Sequence, residues 1–375
     1  MEDFFTITCH DAYNYGAVLQ TYALYKYFTN LGLTGKVIDY RPLNSHKTSS
    51  KNILVKLARP ILRFPDFYKG RRVFRGFLNN NIELTERVKN EKEINEKLDK
   101  AKVYVTGSDQ VWNCTPKGVG NDNNFFLAFV DGKKAKKVSY AASIAMNELN
   151  EDQKERFKKL LSDYSYISVR EKVAVKLLKN IGINNVERVL DPVYLLNKEE
   201  WKKLVDKSKL VEKLKNEKYI LVYGFLQQKN VYEYARKLGN KKNLKIFNVN
   251  TLIEDYFLDT DKYFWNVTPE DFLALIYYSQ EVVTNSFHGL SFSLIFEKDF
   301  HLFGKKGNSS SRMFDMVKLI NLEDRILKDS NTILDSKINY NEVKLELNKK
   351  IDESERYIEK FFYNWGMKWN RKKSY

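Results

Sequence analysis

The fold class of this chain is decided by the stretch E-V-V-T-N-S-F-H-G-L-S-F-S-L-I-F, residues 281–296. Its first four residues have the character of a short buried strand, and after the polar turn N-S the apolar residues recur at helical spacing. A strand that leads through a polar turn directly into a helix is typical of a parallel α/β sheet, in which ligands bind beyond the carboxyl ends of the strands. His288, one of four histidines in 375 residues, lies at that position.

The same alternation of short strands and helices extends over the rest of the chain. Strands are predicted at D-F-F-T-I-T, G-K-V-I-D-Y, K-V-Y-V-T, K-V-S-Y-A-A-S and Y-I-S-V-R in the first half, and at K-Y-I-L-V-Y-G-F-L, L-K-I-F-N-V-N, E-V-V-T and D-F-H-L-F-G in the second. The pattern restarts after a charged stretch at 206–218, and 375 residues are enough for two cores. We therefore predict an α/β protein with two Rossmann-like domains facing a cleft, residues 1–196 and 197–375. The last helix, near 340–362, is expected to pack back on the first domain.

Composition excludes several classes of protein. A hydrophobic content of 43% and six prolines are typical of a folded globular protein rather than a disordered one. No apolar run approaches the ~20 residues needed to cross a bilayer, and the N-terminal residues M-E-D carry acids where a secretory signal carries lysines. Cys9 and Cys114 form neither a C-x-x-C pair nor a zinc spacing, so we expect ordinary thiols, no bound metal and a cytoplasmic location.

The net charge of +16 predicts an acidic partner, and the basic excess is densest in residues 47–75. In that segment Asp66 is the only acid among nine cations, and apolar residues interleave with the basic ones. A basic amphipathic helix in a membrane interface has this composition, as does a basic connection packed on the domain, and both interpretations stay open. The basic, aromatic C-terminal tail is a second candidate for peripheral contact with an anionic membrane, at its inner face. Since no zinc-finger spacing, RNP-type strand or recognition helix is present, no nucleic-acid partner is predicted.

Familiar nucleotide and nucleophile motifs are absent from the sequence. It contains no G-x-G-x-x-G, no G-x-x-x-x-G-K-[ST] and no G-x-S-x-G. What remains is a set of polar strings at predicted strand ends: N-Y-G at 14–16, T-G-S-D-Q-V-W-N at 106–113, S-V-R at 168–170, L-D-P at 190–192, N-S-F-H-G at 285–289 and G-N-S-S-S-R at 307–312. Each string taken alone has a local explanation, such as a helix cap or a turn, and Asp191 before Pro192 is interpreted as a turn. Their convergence at the ends of parallel strands is what predicts a site.

Taken in order, these strings resemble the polysaccharide pyruvyl transferase family over most of the chain. The resemblance rests on N-Y-G-A-V-L-Q, V-T-G-S-D-Q-V-W-N, S-Y-A-A-S, S-V-R-E, L-D-P-V, N-S-F-H-G-L-S-F-S-L-I-F, G-N-S-S-S-R-M and L-E-D-R. It implies a GT-B-type architecture and an enzyme that moves the enolpyruvyl group of phosphoenolpyruvate onto two hydroxyls of a sugar. The products are a pyruvate ketal and phosphate. The implied acceptor is a sugar of a capsule, an exopolysaccharide or a wall polymer, often lipid-linked, and no cofactor is implied.

The resemblance assigns phosphoenolpyruvate ligands to Arg170 and His288, and to a downstream lysine. That lysine does not align to one position, since Lys305, Lys306 and Arg312 all compete for the role. Backbone donors at a helix start suit an anion, and Ser286 and Gly289 are included for that reason.

The catalytic assignments follow from the chemistry of the donor. His288 is a candidate for the phosphate ligand or for the general acid that protonates the methylene carbon. Asp109, on its strand-end turn, is the candidate base for the sugar hydroxyl.

The first domain is expected to hold the acceptor and the second domain the donor. The predicted acceptor contacts are Asn14, Tyr15, Gly16, Ser108, Gln110 and Trp112. Two other functions stay open. One is a GT-B glycosyltransferase that uses a nucleotide sugar, which needs a site for base and ribose. The other is a non-catalytic protein that binds anions or polysaccharide.

Overall fold

Two parallel β-sheets, one from each half of the chain, organise the fold. The structure, a computed structural model, describes residues 1–42, 63–116, 118–224, 228–304 and 311–363. The described strands of the first half end at Arg188 and those of the second half begin at Tyr219, so the predicted boundary at residues 196 and 197 lies between them. The prediction of an α/β protein with two Rossmann-like halves is confirmed.

The first half contains six described strands, which pair in parallel. They are β1 (Glu2–Ile7), β2 (Gly35–Val37), β3 (Ala101–Thr106), β4 (Lys136–Ser139), β5 (Ile167–Val169) and β6 (Val186–Arg188). Four form a sheet in the order β2–β1–β3–β4, and β5 pairs with β6. Phe4, Phe5 and Ile7 of β1 are all buried, as expected for a parallel strand with helices on both faces.

The second half contains a six-stranded parallel sheet in which the quoted stretch supplies a central strand. Its strands are β7 (Tyr219–Tyr223), β8 (Lys245–Asn250), β9 (Lys262–Trp265), β10 (Glu281–Thr284), β11 (Asp299–Phe303) and β12 (Ile326–Leu327). The order is β12–β11–β10–β7–β8–β9, so the chain reverses its direction of winding between β7 and β10. The first sheet reverses in the same way between β1 and β3. Crevices at such reversal points are where open α/β sheets bind ligands.

Helices connect these strands and cover both sheets. They are α1 (Tyr15–Asn30), α2 (Phe64–Asn81), α3 (Glu91–Lys97), α4 (Glu151–Leu161), α5 (Lys172–Asn180), α6 (Lys198–Val205), α7 (Val211–Leu214), α8 (Lys229–Lys242), α9 (Pro269–Tyr278), α10 (Phe287–Ile295), α11 (Ser311–Leu319) and α12 (Tyr340–Tyr363). Side-chain oxygens of Asn14, Thr268 and Ser286 accept backbone N–H groups in the first turns of α1, α9 and α10. These caps fix where the helices that follow β1, β9 and β10 begin.

The C-terminal helix α12 packs on the first half, as predicted. The Tyr357 hydroxyl donates to the Ser139 carbonyl at 2.8 Å, and Ser354 Oγ accepts the Leu190 N–H at 2.9 Å. The rings of Phe361 and Phe362 meet Phe28 of α1 at centroid distances of 6.3 and 5.1 Å. The helix therefore joins the end of the chain to the first sheet and to α1.

Some sequence predictions fall on residues outside the described ranges. Lys305, Lys306 and the C-terminal tail from 364 are among them, as is most of the basic segment at 47–62. The remainder of that segment begins α2, which buries Phe74, Phe77 and Leu78. None of the helices in the described part of the chain is long and apolar enough to span a membrane.

Candidate active site

Four strand ends and helix starts from the two halves meet at one place. Arg170 directly follows β5, and Asp191 follows β6 after two residues. From the second half, His288 lies in the first turn of α10 and Arg312 in the first turn of α11. We call these four residues the interdomain cluster. Arg170, Asp191 and His288 are buried, and Arg312 is half-buried.

A buried carboxylate, that of Asp191, holds the cluster together. Its Oδ2 accepts a hydrogen bond from Ser108 Oγ at 3.1 Å and a charged hydrogen bond from Arg170 Nη1. Its Oδ1 accepts the Val193 N–H at 3.2 Å. Burial by itself raises the pKa of Asp191, but the Arg170 guanidinium and the His288 imidazole outweigh it and hold that pKa well below its usual value. Asp191 is therefore a carboxylate at neutral pH.

The interpretation of Asp191 as a turn residue was correct but incomplete. Its carboxylate does cap the short 3-10 turn Pro192–Leu195, but it also binds Arg170 and Ser108. The signal in the sequence was the acid in L-D-P at a predicted strand end, among other strand-end polar residues. A single buried acid beside proline has no spacing that separates it from an ordinary turn, so only the packing shows its second role.

His288 packs against the backbone of Gly16 from the other half of the chain. A Cβ atom built on Gly16 would lie 2.0 Å from His288 Nδ1, so no side chain fits between the start of α1 and the imidazole. His288 Nε2 lies 3.8 Å from Asp191 Oδ2, which is longer than a hydrogen bond. This Nε2 is buried and has no hydrogen-bond partner among the described residues. A buried polar atom of this kind is costly unless a ligand or water meets it.

The ring of Phe287 lies close to two guanidinium groups. The Arg170 and Arg312 guanidinium carbons lie 4.9 and 6.0 Å from its centroid, and the side chain joins a small cavity of about 20 Å³ that both arginines line. Nε and Nη2 of Arg170 are buried, and within the described ranges neither has a hydrogen-bond partner. Burial lowers the pKa of Arg312, and the charge of Arg170 lowers it further. The carboxylates of Asp191 and Glu171 line the same cavity and balance part of this charge, Glu171 Oε1 lying 3.7 Å from Arg170 Nε. Two desolvated cations at one place favour a further anion.

Asp109 lies on the turn after β3 with an unusual backbone conformation. Its φ of 76° is in the left-handed region, which non-glycine residues seldom adopt. Its Oδ1 accepts the Gln110 N–H at 2.9 Å, and its side chain is half-buried. The negative charge of Asp109 raises the pKa of Arg170, as do those of Asp191 and Glu171, although burial opposes them. The predicted base and the predicted anion ligands thus influence one another electrostatically.

Comparison with known proteins identifies the family. The family model described as polysaccharide pyruvyl transferase matches residues 14–305, which is most of the chain.

The chain belongs to the polysaccharide pyruvyl transferase family.

This membership confirms the resemblance found in the sequence, and it makes the protein an enzyme, a transferase. No curated protein matches the sequence significantly.

Solved structures of low sequence identity share the fold of this pyruvyl transferase family member. The UDP-GlcNAc 2-epimerase of Methanocaldococcus jannaschii superimposes with a TM-score of 0.52 at 13% identity, covering 97% of this chain and 100% of that one. MnaA of S. aureus gives 0.51 at 14% identity, with 98% and 97% covered. UGT89C1 of Arabidopsis thaliana gives 0.51 at 9% identity, with 98% and 100% covered. At these identities the likeness shows the fold alone, which is the predicted GT-B-type architecture.

Ser286 and Gly289 of the pyruvyl transferase serve the local structure of α10. Ser286 Oγ accepts the Gly289 N–H at 3.4 Å, so that N–H is already used within the helix cap. A Cβ atom at Gly289 would lie 2.3 Å from Thr284 Oγ1, which explains the glycine by close packing of α10 on β10. The prediction that Gly289 binds the donor directly is corrected accordingly, because its N–H and Cα both face protein.

Tyr15 and Trp112, two of the predicted acceptor contacts, are core residues. The Tyr15 ring stacks on Phe272 at 4.4 Å, and its hydroxyl donates to the Val267 carbonyl at 3.1 Å. The Trp112 ring stacks on Phe126 at 5.3 Å, and its indole N–H donates to a backbone carbonyl. Both side chains are fully buried in the core, so neither is exposed to contact an acceptor, and the prediction for them is corrected.

The other predicted acceptor residues lie around the interdomain cluster. Asn14 caps α1, Gly16 accommodates His288, and Ser108 binds Asp191. Gln110 is half-buried, and its Oε1 accepts the Asn113 side-chain N–H at 2.8 Å. The structure thus brings the strings N-Y-G, T-G-S-D-Q, S-V-R, L-D-P and N-S-F-H-G together.

A cavity of about 410 Å³ lies between the two halves; none of the four cluster residues lines it, and its connection to the cluster runs from Thr8 through Ser108 to Asp191. The first half contributes the loop after β1, residues 40–42 and the start of α2, and the second half contributes Thr251 and Leu252. Thr8 and Cys9 line the cavity, and Thr8 Oγ1 donates to the Ser108 carbonyl at 2.6 Å. Burial raises the pKa of Cys9, with Asp109 adding to the effect, so its thiol stays protonated. The cavity has the size of a small-molecule site.

No metal site is evident in the described ranges. There, no group of three or more His, Cys, Asp or Glu side chains is arranged to hold an ion. The expectation that the enzyme needs neither metal nor cofactor stays a prediction.

Proposed function

We propose that the protein transfers the enolpyruvyl group of phosphoenolpyruvate onto two hydroxyls of a sugar, in a cell-surface polysaccharide or its lipid-linked precursor. The observation that supports this most directly is the interdomain cluster. Three buried nitrogens, Nε and Nη2 of Arg170 and Nε2 of His288, have no hydrogen-bond partner among the described residues, and Arg312 lies beside them. They offer fixed donors to a small, highly charged anion.

Phosphoenolpyruvate carries both a phosphate and a carboxylate, and each is matched by a guanidinium fork. Arg170 comes from the first half and Arg312 from the second, so the donor would bridge the halves. Lys305 and Lys306 stay candidates for further phosphate contacts, since both lie outside the described residues. The repulsion that lowers the pKa of Arg312 would be relieved by the bound anion.

The reaction then proceeds by addition and displacement. The oxygen of one sugar hydroxyl bonds to C2 of phosphoenolpyruvate, while the electrons of the C=C bond take a proton at C3. The second hydroxyl displaces the phosphate from C2, and its proton leaves with the phosphate. The products are a pyruvate ketal and inorganic phosphate.

His288 and Asp109 are the proposed catalytic residues. His288 either binds the phosphate as imidazolium or gives the proton to C3, and its buried Nε2 has no hydrogen-bond partner among the described residues. Asp109 is the proposed base for the sugar hydroxyl, because it is half-buried and its charge acts on both Arg170 and the cavity-lining Cys9.

We assign the acceptor to the cavity of about 410 Å³ between the two halves. Its wall combines the rings of Tyr13, Tyr40 and Phe67 with the charged groups of Arg41 and Asp66. Aromatic faces with a few polar groups suit a sugar. We place the enzyme in the cytoplasm, at the inner face of a membrane, because its charge of +16 favours an anionic surface.

The donor screen tests this function. Purified protein, phosphoenolpyruvate and candidate sugar acceptors should release phosphate and yield a ketal. Calorimetry should show binding of phosphoenolpyruvate and none of UDP-GlcNAc. UDP-GlcNAc is the matched competitor, because the structural relatives from Methanocaldococcus jannaschii and S. aureus are complexes with UDP. Preference for UDP-GlcNAc would establish the glycosyltransferase alternative. Binding of phosphoenolpyruvate without turnover on any acceptor would favour the non-catalytic alternative.

Two substitutions test the site itself. Arg170→Ala and His288→Ala should each reduce phosphate release by about 10³-fold or more, since each removes a charge-assisted contact to the donor. Arg236→Ala is the matched control. Arg236 lies on α8, outside the interdomain cluster, and pairs with Asp259 and Asp261. Activity retained in either site variant would remove that residue from the mechanism.

A further inference from the structure

Two short segments, one from each half, hold most of the exposed large apolar side chains. Nine such residues are exposed in the described ranges, and three lie in 64–68 and three in 253–257. We call these six the apolar rim: Phe64, Phe67, Tyr68, Ile253, Tyr256 and Phe257. Phe257 is 88% exposed and Phe64 66% exposed. Isolated apolar residues on a surface are normal, whereas a cluster of this kind marks an interaction site.

The two segments of the apolar rim form one surface, because Asp66 and Arg63 tie them together. Asp66 Oδ1 accepts the Ile253 N–H at 2.9 Å and the Trp265 indole N–H at 2.8 Å. Arg63 Nη2 lies 3.5 Å from Glu254 Oε1. These contacts join the first turn of α2 to the turn that follows β8.

Of the three rim rings on α2, Phe67 packs edge-on against Tyr13 at 6.0 Å, whereas Phe64 and Tyr68 are not among the buried residues of the helix. Further along α2, Phe74, Phe77 and Leu78 are buried against the first half. The rings of Phe64 and Tyr68 instead stack on each other, 6.2 Å apart, on the exposed side. The start of α2 thus presents aromatic rings outward while its later turns bury their own.

The net charge around the rim is positive, although the second segment contributes two acids, Glu254, which pairs with Arg63, and the buried Asp255. Arg71 and Arg72, one turn further along α2, are exposed and form no ion pair with a described residue. Asp66, the only acid of residues 63–75, is buried and already accepts two hydrogen bonds through Oδ1. A surface of aromatic rings with unpaired arginines beside them is complementary to the interface of an anionic bilayer.

The apolar rim also borders the proposed acceptor cavity. Arg63, Asp66 and Phe67 from one segment line that cavity, as do Thr251 and Leu252, which directly precede the other segment. If the apolar rim rested on a bilayer, the adjoining cavity would face the lipid headgroups.

We propose that the apolar rim docks the enzyme on a lipid bilayer that contains anionic headgroups. The rings enter the interfacial layer, and Arg71 and Arg72 contact the headgroups. That a lipid-linked acceptor reaches the cavity from the bilayer rests on the proposed function, whereas the docking does not. A second copy of the chain is the less favourable occupant, because two identical rims would bring like charges together.

Vesicle cosedimentation tests the docking. The full chain should bind vesicles of phosphatidylcholine and phosphatidylglycerol in equal parts, and bind pure phosphatidylcholine far less. The double variant Phe64→Ser with Phe257→Ser should lower the partition coefficient by about tenfold or more, since binding scales with the buried apolar area. Arg71→Gln with Arg72→Gln should lower it by about fivefold per arginine and reduce its salt dependence.

Leu345→Ser is the matched control, because Leu345 is an equally exposed apolar residue on α12, 62% exposed, outside the rim. Rim variants that bind vesicles as tightly as this control would overturn the proposal. So would a wild-type dimer in sedimentation equilibrium that the rim variant abolishes, since that result assigns the surface to a second copy. Calorimetry with phosphoenolpyruvate should give the same heat for the rim variant and the wild type. A wild type that binds vesicles but not phosphoenolpyruvate would sink the proposed function and leave the docking intact.

Discussion

At the scale of single residues, the site depends on two buried carboxylates that arginines surround. Asp191 binds Arg170 within the interdomain cluster. Asp39, after β2, accepts from His10 Nε2 at 3.0 Å, Arg41 Nε at 2.9 Å and Arg75 Nη2 at 2.6 Å. Despite burial, these partners hold the pKa of Asp39 well below its usual value, as Arg170 and His288 do for Asp191. Buried acids of this kind fix the strand-end loops that carry the site.

This pattern predicts that the fold loses stability in acid. In the unfolded chain both carboxylates regain an ordinary pKa near 3.8, above their folded values. Their contribution is therefore complete above about pH 5 and shrinks as the pH falls below about 4. Urea unfolding should show this loss when it is measured at pH 6 and at pH 3, which lie about one unit or more on either side of the carboxyl pKa in the unfolded chain. The loss should be smaller in Asp39→Asn, and unchanged in Glu155→Gln, an exposed acid on α4. A wild-type stability that is flat over this range would contradict the prediction.

Gly16 is a positioning residue for His288. A methyl group at Gly16 would displace the imidazole, because its Cβ would lie 2.0 Å from Nδ1. We expect Gly16→Ala to lower kcat for phosphate release by about tenfold or more and to destabilise the fold by about 1–3 kcal/mol through overpacking. Gly76→Ala in α2 is the control, since no atom lies within 4 Å of its added Cβ. That variant should gain about 0.5–1 kcal/mol and keep full activity. Equal activity in the two variants would show that Gly16 does not position His288.

At the scale of secondary structure, α12 determines how the end of the chain is held. The helix carries polar residues on one face and buries Val343, Leu347, Tyr357, Ile358, Phe361 and Phe362 on the other. The buried face contacts the first half through Ser139, Leu190 and Phe28. A helix whose apolar face is covered by the other half acts as a strap between the halves.

Truncation of the apolar face of α12 should therefore weaken the whole fold. Phe362 is fully buried and packs edge-on against Phe28 at 5.1 Å. We expect Phe362→Ala to cost about 3–5 kcal/mol, the usual range for a buried phenylalanine. Leu345→Ala, at an exposed position of the same helix, should change the free energy of unfolding by less than about 0.5 kcal/mol. Denaturant unfolding measures the change in the free energy of unfolding for each variant. Equal changes would show that the buried face of α12 stabilises the fold no more than its exposed face does.

At the scale of the whole molecule, the two halves share one hydrophobic core. Tyr15 of α1 stacks on Phe272 of α9 and donates a hydrogen bond to Val267, so a side chain of the first half is buried in the second. Trp201 of α6 contacts Tyr22 from the first half and Phe292 from the second. A continuous core of this kind couples the stability of the halves.

The shared core predicts one cooperative unfolding transition. Calorimetry of the full chain should give a single peak, because neither half keeps its buried surface without the other. Tyr15→Ala should lower the stability by about 3–5 kcal/mol, whereas Tyr68→Ala, at an exposed position, should leave it within about 0.5 kcal/mol of the wild type. Two well-separated peaks in the wild type would show that the halves fold independently.

How much of this the sequence predicts depends on the range of the interaction. The α/β class, the helix beginning at Phe287 and the existence of the C-terminal helix α12 could be predicted, because hydrophobic periodicity and caps act over a few neighbouring residues. The strings at strand ends also predicted which residues meet, since parallel strands bring their carboxyl ends to one edge. Arg170 and His288 lie at such positions, and the family resemblance is what assigned them to the donor.

What the sequence by itself determined is therefore the order of elements, the family and the set of strand-end residues. Only the tertiary structure decided the role of each side chain. Tyr15 and Trp112 belong to the core, Asp191 binds Arg170, and Gly16 makes room for His288. These roles depend on contacts between residues far apart in the chain, and a local pattern contains no information on which distant atom fills the space beside it. Burial and partner are properties of the packed molecule, and function at this site follows from them.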